Sequence, residues 1–241
     1  MKQIFSLMML VAFSICMNAQ VTKMYVWKNG SYTVCPVEDV DSITFAVFDY
    51  KAVDLGLPSG TLWADRNVGA DTPEAYGDYF AWGEVFPKKE YNWKTYKWCN
   101  GSENALTKYC TISSYGIVDG KTIPDLEDDA AYVNMGAEWR MPTTEEQQEL
   151  YNYCTWIWTT IEGVNGYKLI GPNGNFLFLP VAGYRYDCEL DYAGSLGFYW
   201  SSTLNESSPY GVYLLDCIVS GSCGDGYCSR CYGYSVRAVA R

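Results

Sequence analysis

The chain of 241 residues contains no histidine. Histidine has the side-chain pKa nearest neutrality, is the usual base in Ser-His-Asp and Cys-His catalytic systems, and is a common ligand of catalytic zinc. Its absence excludes those nucleophile systems and histidine-ligated zinc catalysis. No other catalytic constellation or cofactor motif is present, so the sequence predicts a protein that is not an enzyme and holds no cofactor.

Clusters of basic residues are also lacking. The chain has 17 Lys and Arg against 28 Asp and Glu, which gives a formal net charge of -11. A protein that binds nucleic acid has to neutralise successive phosphates with grouped Lys and Arg side chains. We therefore expect no nucleic-acid partner.

Apolar runs long enough to cross a membrane are lacking as well. Residues 4–15 form an apolar run behind Lys2 that is too short for a stable span. With the small residue Ala19 before Gln20, this run predicts a signal peptide over residues 1–19. A lipid anchor on Cys16 is the less favoured alternative, because residues 13–15 lack a small residue next to that cysteine. We expect export to the periplasm, the cell surface or the medium, with no transmembrane segment in the mature chain.

Cysteine, by contrast, is plentiful. Cys16 lies in the predicted signal peptide, which leaves nine of the ten cysteines in the mature chain. Nine is odd, so at least one thiol stays free or pairs between chains. Cys99 and Cys110 bracket a loop rich in Tyr and Trp, at a spacing that permits a disulfide without requiring one. For the pair Cys228-x-x-Cys231, disulfides or free thiols are favoured over a structural zinc site.

The first part of the mature chain predicts a small β unit. Strands at residues 24–27 and 32–37 flank the turn residues Asn29 and Gly30, and a third short strand follows at residues 43–45. Three short strands bury too little apolar area to be stable alone, so this unit has to pack on another surface. We assign residues 20–50 to the unit and its connector, and residues 51–241 to the main domain.

Two short helices are predicted in the main domain. The first covers residues 125–135, with solvated acidic side chains in its first turn and a glycine after its last residue. The second follows a capping box. In this motif the side chain of Thr143 or Thr144 accepts a hydrogen bond from an amide of the first turn, and the side chain of Glu146 or Gln147 accepts one from the amide of the capping residue. Both helices lie before the main run of strands.

Most predicted strands lie in the second half of the chain, separated by Gly, Asn or Ser turns. A strand, a turn and a second strand are predicted at residues 53–63, and single strands at residues 166–170, 175–180, 197–202, 212–215 and 235–239. Two helices followed by many strands predict an α+β domain.

Seven segments carry a resemblance to a known family. They are VDLGLPSGTLW at residues 53–63, NVGA at 67–70, YGDYFAWGE at 76–84, WRMPT at 139–143, LPVAGYR at 179–185, FYWSS at 198–202 and SVRAV at 235–239. In this order they resemble the FISUMP (major paralogous domain) family of exported bacterial proteins. The WRMPT and SVR segments also resemble those of formylglycine-generating enzymes and of receptor-binding proteins with a C-type lectin-like fold. One departure is Arg66, where many relatives have a cysteine.

The resemblance implies a C-type lectin-like domain. Such a domain has two short helices and a mixed, mainly antiparallel sheet, its first and last strands pair, and its late loops form a binding face. The calcium-binding motifs of true C-type lectins are absent, and no acidic run supplies the six or more oxygen ligands that calcium needs. We therefore expect no metal in this domain.

The late loops are rich in tyrosine, which offers a large apolar face and one hydrogen-bonding tip at little entropic cost. The sequence thus predicts a ligand-binding or adhesion module whose partner is an unidentified surface protein or glycan. Candidate binding residues are Tyr184, Tyr186 and Asp187 from one loop, and Tyr210, Tyr213, Asp216, Asp225, Tyr227, Arg230 and Tyr232 from another.

One alternative function belongs to a different class. The resemblance to formylglycine-generating enzymes implies a thiol-dependent or copper oxidase that uses Cys228 and Cys231. Copper in such a site needs two thiols that face a substrate groove. No second cluster, general base or cofactor motif supports this alternative.

The composition of the C-terminal segment is unusual. Residues 207–241 contain no Lys, Glu, Gln, Trp or Met, although all five occur up to Glu206. The codons of these five residues all end in a purine. Randomising the adenines of asparagine codons yields Tyr, Asp, Cys, Gly, Ser, Arg, Ile, Val and Leu, and never those five. This is the pattern left by diversity-generating retroelements, whose targets resemble this domain in fold. The alternative is a Tyr- and Gly-rich loop shaped by drift.

Overall fold

The computed structural model describes residues 23–28, 31–36, 49–218 and 223–240. These residues form fourteen strands and two α-helices, and the strands pair in antiparallel sheets. The predicted α+β class is therefore confirmed. The chain divides into two compact units, Met1–Val47 and Phe48–Arg241.

A β-hairpin forms the described part of the first unit. Strand β1 (Lys23–Lys28) pairs with β2 (Ser31–Pro36) in a register that runs from Lys23 opposite Pro36 to Lys28 opposite Ser31. This pairing confirms the predicted hairpin. The signal peptide, Cys16, the turn at residues 29–30 and the predicted third strand at residues 43–45 lie outside the described residues.

The described part of the second unit contains four sheets, in which neighbouring strands pair in the following orders. The first contains β3 (Ala52–Asp54), β4 (Leu62–Ala64), β14 (Val239–Ala240) and β5 (Trp139–Arg140). The second contains β6 (Thr155–Ile161), β7 (Val164–Ile170) and β8 (Phe176–Pro180). The third pairs β10 (Glu189–Asp191) with β9 (Tyr184–Tyr186), and the fourth contains β11 (Leu196–Leu204), β12 (Gly211–Ile218) and β13 (Cys223–Ser229).

The end of the chain is built into the sheet that starts the second unit. Val239 in β14 pairs with Trp63 on one side and with Arg140 on the other. Trp63 and Val239 are both buried in the same hydrophobic cluster. The predicted strand at residues 235–239 overlaps the observed strand β14 only at Val239. Val239 is the one residue of the predicted range that pairs with β4 and β5.

The predicted capping box is present at the second helix, α2 (Thr144–Tyr153). The Thr143 hydroxyl accepts a 3.3 Å hydrogen bond from the amide of Glu146, and the Glu146 carboxylate accepts a 2.8 Å bond from the amide of Thr143. Leu150 on the inner side of α2 is fully buried. The cap and this apolar contact fix where the helix begins and which face it buries.

The first helix differs from its prediction. A single helix over residues 125–135 was expected, but the structure has a 3-10 turn at Leu126–Asp128, an extended residue at Asp129 and then α1 (Ala130–Met135). Asp129 breaks the helix because its carboxylate caps α1 from this extended conformation. The predicted glycine stop is confirmed, since Gly136 follows α1 at a φ of 105°.

The prediction of a solvated acidic helix start is wrong for Asp128 and Asp129, which are buried, whereas Glu127 is exposed. Asp128 is 1% exposed. Its carboxylate accepts a 2.6 Å hydrogen bond from Lys108 and a 2.7 Å bond from the Tyr109 hydroxyl. Lys97 also pairs with it, at 3.2 Å. The buried charge is tolerated because these three donors surround it.

Most predicted strands are found, with shifted ends, but some strands were not predicted. Strand β6 lies directly after α2, and β9 and β10 occupy a stretch for which the sequence predicts a loop. Strand β13 has the composition CGDGYCS, which is typical of turns. Its strand conformation comes from pairing with β12 along seven residues, which local composition does not reveal.

Candidate binding surface

A column of aromatic rings runs from the core towards the surface. Trp200 and Tyr234 are buried, with ring centroids 4.5 Å apart. Phe198 stacks on Tyr234 at 5.1 Å, and Tyr184 meets Phe198 edge-on at 5.6 Å. Because the inner rings are fixed in the core, the outer rings are held in a defined geometry.

Four tyrosines form the outer end of this column and are called here the tyrosine cluster: Tyr184, Tyr186, Tyr192 and Tyr232. The rings of Tyr184 and Tyr232 are stacked, with centroids 6.0 Å apart and an angle of 6° between their planes. Tyr186 lies 4.8 Å from Tyr232, and Tyr192 stacks on Tyr184 at 5.9 Å. Tyr186 is 42% exposed and Tyr192 57% exposed, so the cluster is open to solvent at these two rings.

Sequence reasoning missed Tyr192. It lies just after β10 at a φ of 57°, in the left-handed region that few non-glycine residues adopt. The pairing of Asp191 in β10 with Tyr184 in β9 carries Tyr192 to the cluster. Nothing in its local sequence signals that contact.

Backbone hydrogen bonds bring the two predicted loops together. The amide of Arg185 in β9 donates to the carbonyl of Gly233 at 2.8 Å, and the amide of Gly233 donates back at 2.9 Å. This places Tyr232 beside Tyr184 and Tyr186. Gly233 packs so closely on the Tyr91 ring that a Cβ atom there would lie 2.6 Å from it. Only glycine fits at this junction.

The hydroxyl groups of Tyr184 and Tyr232 remain protonated at neutral pH. Burial raises the pKa of Tyr232 to about 12, and the neighbouring Cys231, Tyr186 and Tyr184 add to the effect. Burial also raises the pKa of Tyr184. A protonated phenol both donates and accepts a hydrogen bond. The cluster therefore combines apolar ring faces with neutral polar tips.

Two further candidate tyrosines, Tyr213 and Tyr227, lie on the other face of the β11–β13 sheet. Val212 and Leu214 of β12 pack in the same cluster as Trp200. Because side chains alternate along a strand, Tyr213 points to the opposite face, and its cross-strand partner Tyr227 does the same. The candidate residues of the second loop are thus divided between two surfaces, since Tyr232 belongs to the tyrosine cluster whereas Tyr213 and Tyr227 lie on the opposite face.

This second surface also carries aromatic contacts. The ring centroids of Tyr213 and Tyr227 are 6.3 Å apart, and Tyr227 is half exposed. Tyr210 lies 5.7 Å from Tyr115 of the long loop before α1. We call Tyr210, Tyr213 and Tyr227 the hairpin tyrosines.

The three acidic candidates lie in different places. Asp187 is at the turn between β9 and β10 with a φ of 47°, and its carboxylate accepts a 2.8 Å hydrogen bond from Asn92. Asp216 is half-buried on β12, near Gly226 of β13. For Asp225 the structure describes the backbone alone, which pairs with Leu215. Asp187 stabilises its loop rather than facing freely outward.

The prediction that Arg230 lies on the binding face is wrong. Its side chain is fully buried. One guanidinium nitrogen donates to the carbonyls of Tyr109 at 2.7 Å and Pro209 at 3.0 Å, and the other donates to Lys108 at 2.7 Å. Arg230 therefore joins the long loop to the β12–β13 hairpin. Its acceptors are more than twenty residues away, so no local pattern indicates this role.

Six cysteines are free thiols: Cys99, Cys110, Cys154, Cys188, Cys228 and Cys231. Cys99 and Cys110, considered above as a disulfide, each contact a backbone carbonyl instead: Trp93 at 3.0 Å and Ile112 at 3.2 Å. In the described part of the chain, no three Cys, Asp or Glu side chains converge in a way that would hold a metal ion.

The two cysteines of the Cys-x-x-Cys pair have different surroundings. Cys231 is fully buried, and burial raises its pKa to about 12. Cys228 is half-buried and packs against the hydrophobic cluster that contains Tyr234. A buried thiol with a raised pKa is a poor nucleophile and a poor metal ligand, because both roles need the thiolate.

Comparisons with known proteins found no match to a protein-family model, to a curated protein or to a solved structure. Within the described ranges, none of the helices has the length and apolar character needed to cross a membrane.

Proposed function

We propose that this protein is an exported ligand-binding or adhesion module that holds a surface protein or a glycan on its tyrosine cluster. The observation that carries the proposal is the stack of Tyr184 and Tyr232 with Tyr186 and Tyr192 around it. The rings are exposed at their outer edge and rest on a buried aromatic column. Preorganised aromatic side chains bind partners at low entropic cost.

The proposed fold is the C-type lectin-like domain of the FISUMP family. Two features support it: two short helices, and a last strand, β14, that joins the sheet of the first two strands of the second unit. The proposed site also agrees with such a domain, since it lies on late segments of the chain. Export rests on the signal peptide predicted at residues 1–19.

The segment from Ser207 to Arg241 is proposed to be hypervariable. It supplies Tyr232 to the tyrosine cluster and all three hairpin tyrosines to the second surface. Variation at these positions would change a binding surface while the buried side chains around them kept the fold. The composition of residues 207–241 is the basis of this proposal.

No observation in the described residues favours the oxidase alternative. That function needs Cys228 and Cys231 as accessible thiolates, whereas Cys231 is buried and its pKa is raised.

A binding screen tests the proposed function. The mature chain from Gln20 is screened against glycans and surface proteins, and the ligand found is then titrated against a Tyr186→Ala/Tyr192→Ala variant. Because central aromatic side chains dominate interface energies, we expect this variant to bind about thirtyfold more weakly or worse.

The matched control is Tyr151→Ala/Tyr153→Ala. These two tyrosines of α2 are 50% and 53% exposed, so the control removes the same groups at similar exposure. Unchanged affinity in the tyrosine-cluster variant, or an equal loss in the control, would show that the ligand binds elsewhere. If a Tyr227→Ala variant alone lost affinity for the ligand, the binding site would lie on the hairpin tyrosines.

A further inference from the structure

A pocket with a different chemistry lies on the other side of β9 from the tyrosine cluster. Its volume is about 390 Å3, within the range of small-molecule sites. Arg185 faces this pocket, because side chains alternate along β9 and those of Tyr184 and Tyr186 point to the cluster. Segments at residues 77–79 and 87–91 form the remaining walls.

The pocket is cationic on an acidic protein. Its lining includes Lys88, Lys89 and Arg185 but only one acidic side chain, Asp78, whereas the whole chain has a net charge of -11. Lys88 is already engaged, since it donates to Glu84 at 2.9 Å and to the carbonyl of Thr95 at 3.1 Å. Arg185 and Lys89 therefore supply the available positive charge.

The guanidinium of Arg185 is positioned without being neutralised. It lies over the ring of Tyr79, with 5.2 Å between its central carbon and the ring centroid. The hydroxyl of Tyr79 is itself fixed by a 2.6 Å hydrogen bond to the carbonyl of Ala182. No residue in the described part of the chain accepts a side-chain hydrogen bond from Arg185 or forms an ion pair with it. As far as the described residues extend, its five N–H donors are free for a ligand.

The backbone around the pocket is rigid. The amide of Tyr91 donates to the carbonyl of Asp187 at 2.8 Å, and the amide of Asp187 donates back at 3.0 Å. The paired hydrogen bonds between Arg185 and Gly233 fix β9 from its other side. Arg185 is therefore held in place before any ligand arrives, which lowers the entropic cost of binding.

The carboxylate of Asp78 is the second group of this pocket that has no hydrogen-bond partner among the described residues. It lines the same pocket, is half-buried, and accepts no hydrogen bond from any side chain or amide in the described residues. Burial raises its pKa. A half-buried carboxylate of this kind is stabilised by a ligand that donates hydrogen bonds to it.

We propose that this pocket binds a hexuronic acid. The sugar carboxylate pairs with Arg185, whose planar fork matches two carboxylate oxygens, and Lys89 adds charge at the rim. Ring hydroxyls donate to Asp78. A hexuronic acid carries both complementary groups on one small rigid ring. A neutral sugar leaves Arg185 unpaired, and a simple carboxylate leaves Asp78 unpaired. The site does not depend on the tyrosine cluster.

Calorimetric titration of the full chain with three probes tests the proposal. D-glucuronate is expected to bind at least about tenfold more tightly than D-glucose, because only glucuronate offers a carboxylate to Arg185. It is also expected to bind more tightly than glycine, which carries a carboxylate and an ammonium but no hydroxyls. Undetectable glucuronate binding, or equal binding of glucose or glycine, overturns the proposal.

Variants locate the site. Arg185→Gln is expected to weaken glucuronate binding about tenfold or more, and Asp78→Asn by a smaller factor, while Lys121→Gln serves as a control on a half-exposed lysine elsewhere. Tyr186→Ala/Tyr192→Ala should bind glucuronate like the unmodified protein, which separates this pocket from the proposed function. Unchanged binding in Arg185→Gln overturns the assignment. If that variant does not fold, Asp78→Asn and the probe selectivity decide.

Discussion

The Nε of Arg237 donates a 2.9 Å hydrogen bond to the Oδ1 of Asn67, inside a core where both side chains are buried. The other guanidinium nitrogens donate to the carbonyls of Ala64 at 3.3 Å and Phe178 at 2.9 Å. Burial lowers the pKa of Arg237 to about 10, yet the group remains charged at neutral pH. One buried cation thus ties the end of the chain to β4, to the turn after it and to β8.

We expect Arg237→Met to lower the free energy of unfolding by about 3 kcal/mol or more, because three buried acceptors lose their donor. Urea unfolding followed by circular dichroism measures this change. Lys121→Ala breaks a half-exposed ion pair with Asp125 and should cost about 0.5 kcal/mol or less. Similar losses in both variants would contradict the role given to Arg237.

The second prediction concerns acid stability. Burial by itself raises the pKa of Glu146, but hydrogen bonds from Arg140, the amide of Thr143 and the hydroxyl of Thr61 outweigh it, and the net pKa is lowered. A carboxyl whose folded-state pKa is lowered contributes stability that is complete above its unfolded-state pKa, which is about 4.3. That contribution is lost as the pH falls through the lower folded-state value.

Glu146→Gln should therefore be less stable than the unmodified protein at pH 7, and the difference should shrink towards pH 3. Urea midpoints across this range provide the measurement. Glu145→Gln is the matched control, since Glu145 is exposed in the same turn and has no hydrogen-bond partner in the described residues. A difference for Glu146→Gln that stays constant with pH would mean that ionisation of Glu146 does not stabilise the fold.

How much of the fold the sequence predicts depends on how local its causes are. The capping box at Thr143 and Glu146 was predictable because both partners lie within four residues and share one backbone turn. The burial of Asp128 was not, because its partner Lys108 is twenty residues away. An acidic residue near a helix start looks the same in the sequence whether it is solvated or buried.

The candidate site shows the same limit. Tyrosine-rich late loops indicated an aromatic surface, and Tyr184, Tyr186 and Tyr232 do meet. The sequence did not separate them from Tyr213 and Tyr227, because that division follows from the β12–β13 register. A change of one residue in this register would move every side chain to the other face.

Thiol reactivity gives the third prediction. Cys188 is exposed at the turn after β9, whereas Cys231 is buried with its pKa raised to about 12. An aromatic disulfide reagent should therefore label Cys188 at least about a hundredfold faster than Cys231 in the native protein, because only an accessible thiolate reacts. Peptide mapping by mass spectrometry reports both sites. In urea the two rates should become similar. Fast native labelling of Cys231 would revive the oxidase alternative.

The last prediction concerns the proposed variability of residues 207–241. In this segment Tyr213, Tyr227 and Tyr232 reach the surface or lie just beneath it, while Arg230 and Arg237 are fully buried and hold distant segments together. Diversification that preserves the fold has to spare the two arginines, since a lost donor there leaves buried carbonyls unpaired.

The gene itself provides the test. If the segment is diversified at adenines, the codons for Tyr213, Tyr227 and Tyr232 should end in a pyrimidine, and a near-copy of the segment nearby should carry adenines where those codons differ. The codons for Arg230 and Arg237 should be identical in both copies, which serves as the internal control. Codons for residues 210–234 that do not mostly end in a pyrimidine, or the lack of such a near-copy, would end the hypothesis. Differences spread equally over the codons for surface residues and for buried residues would indicate drift instead. Adenine-directed change should be confined to the binding surfaces and should leave the codons of the core unaltered.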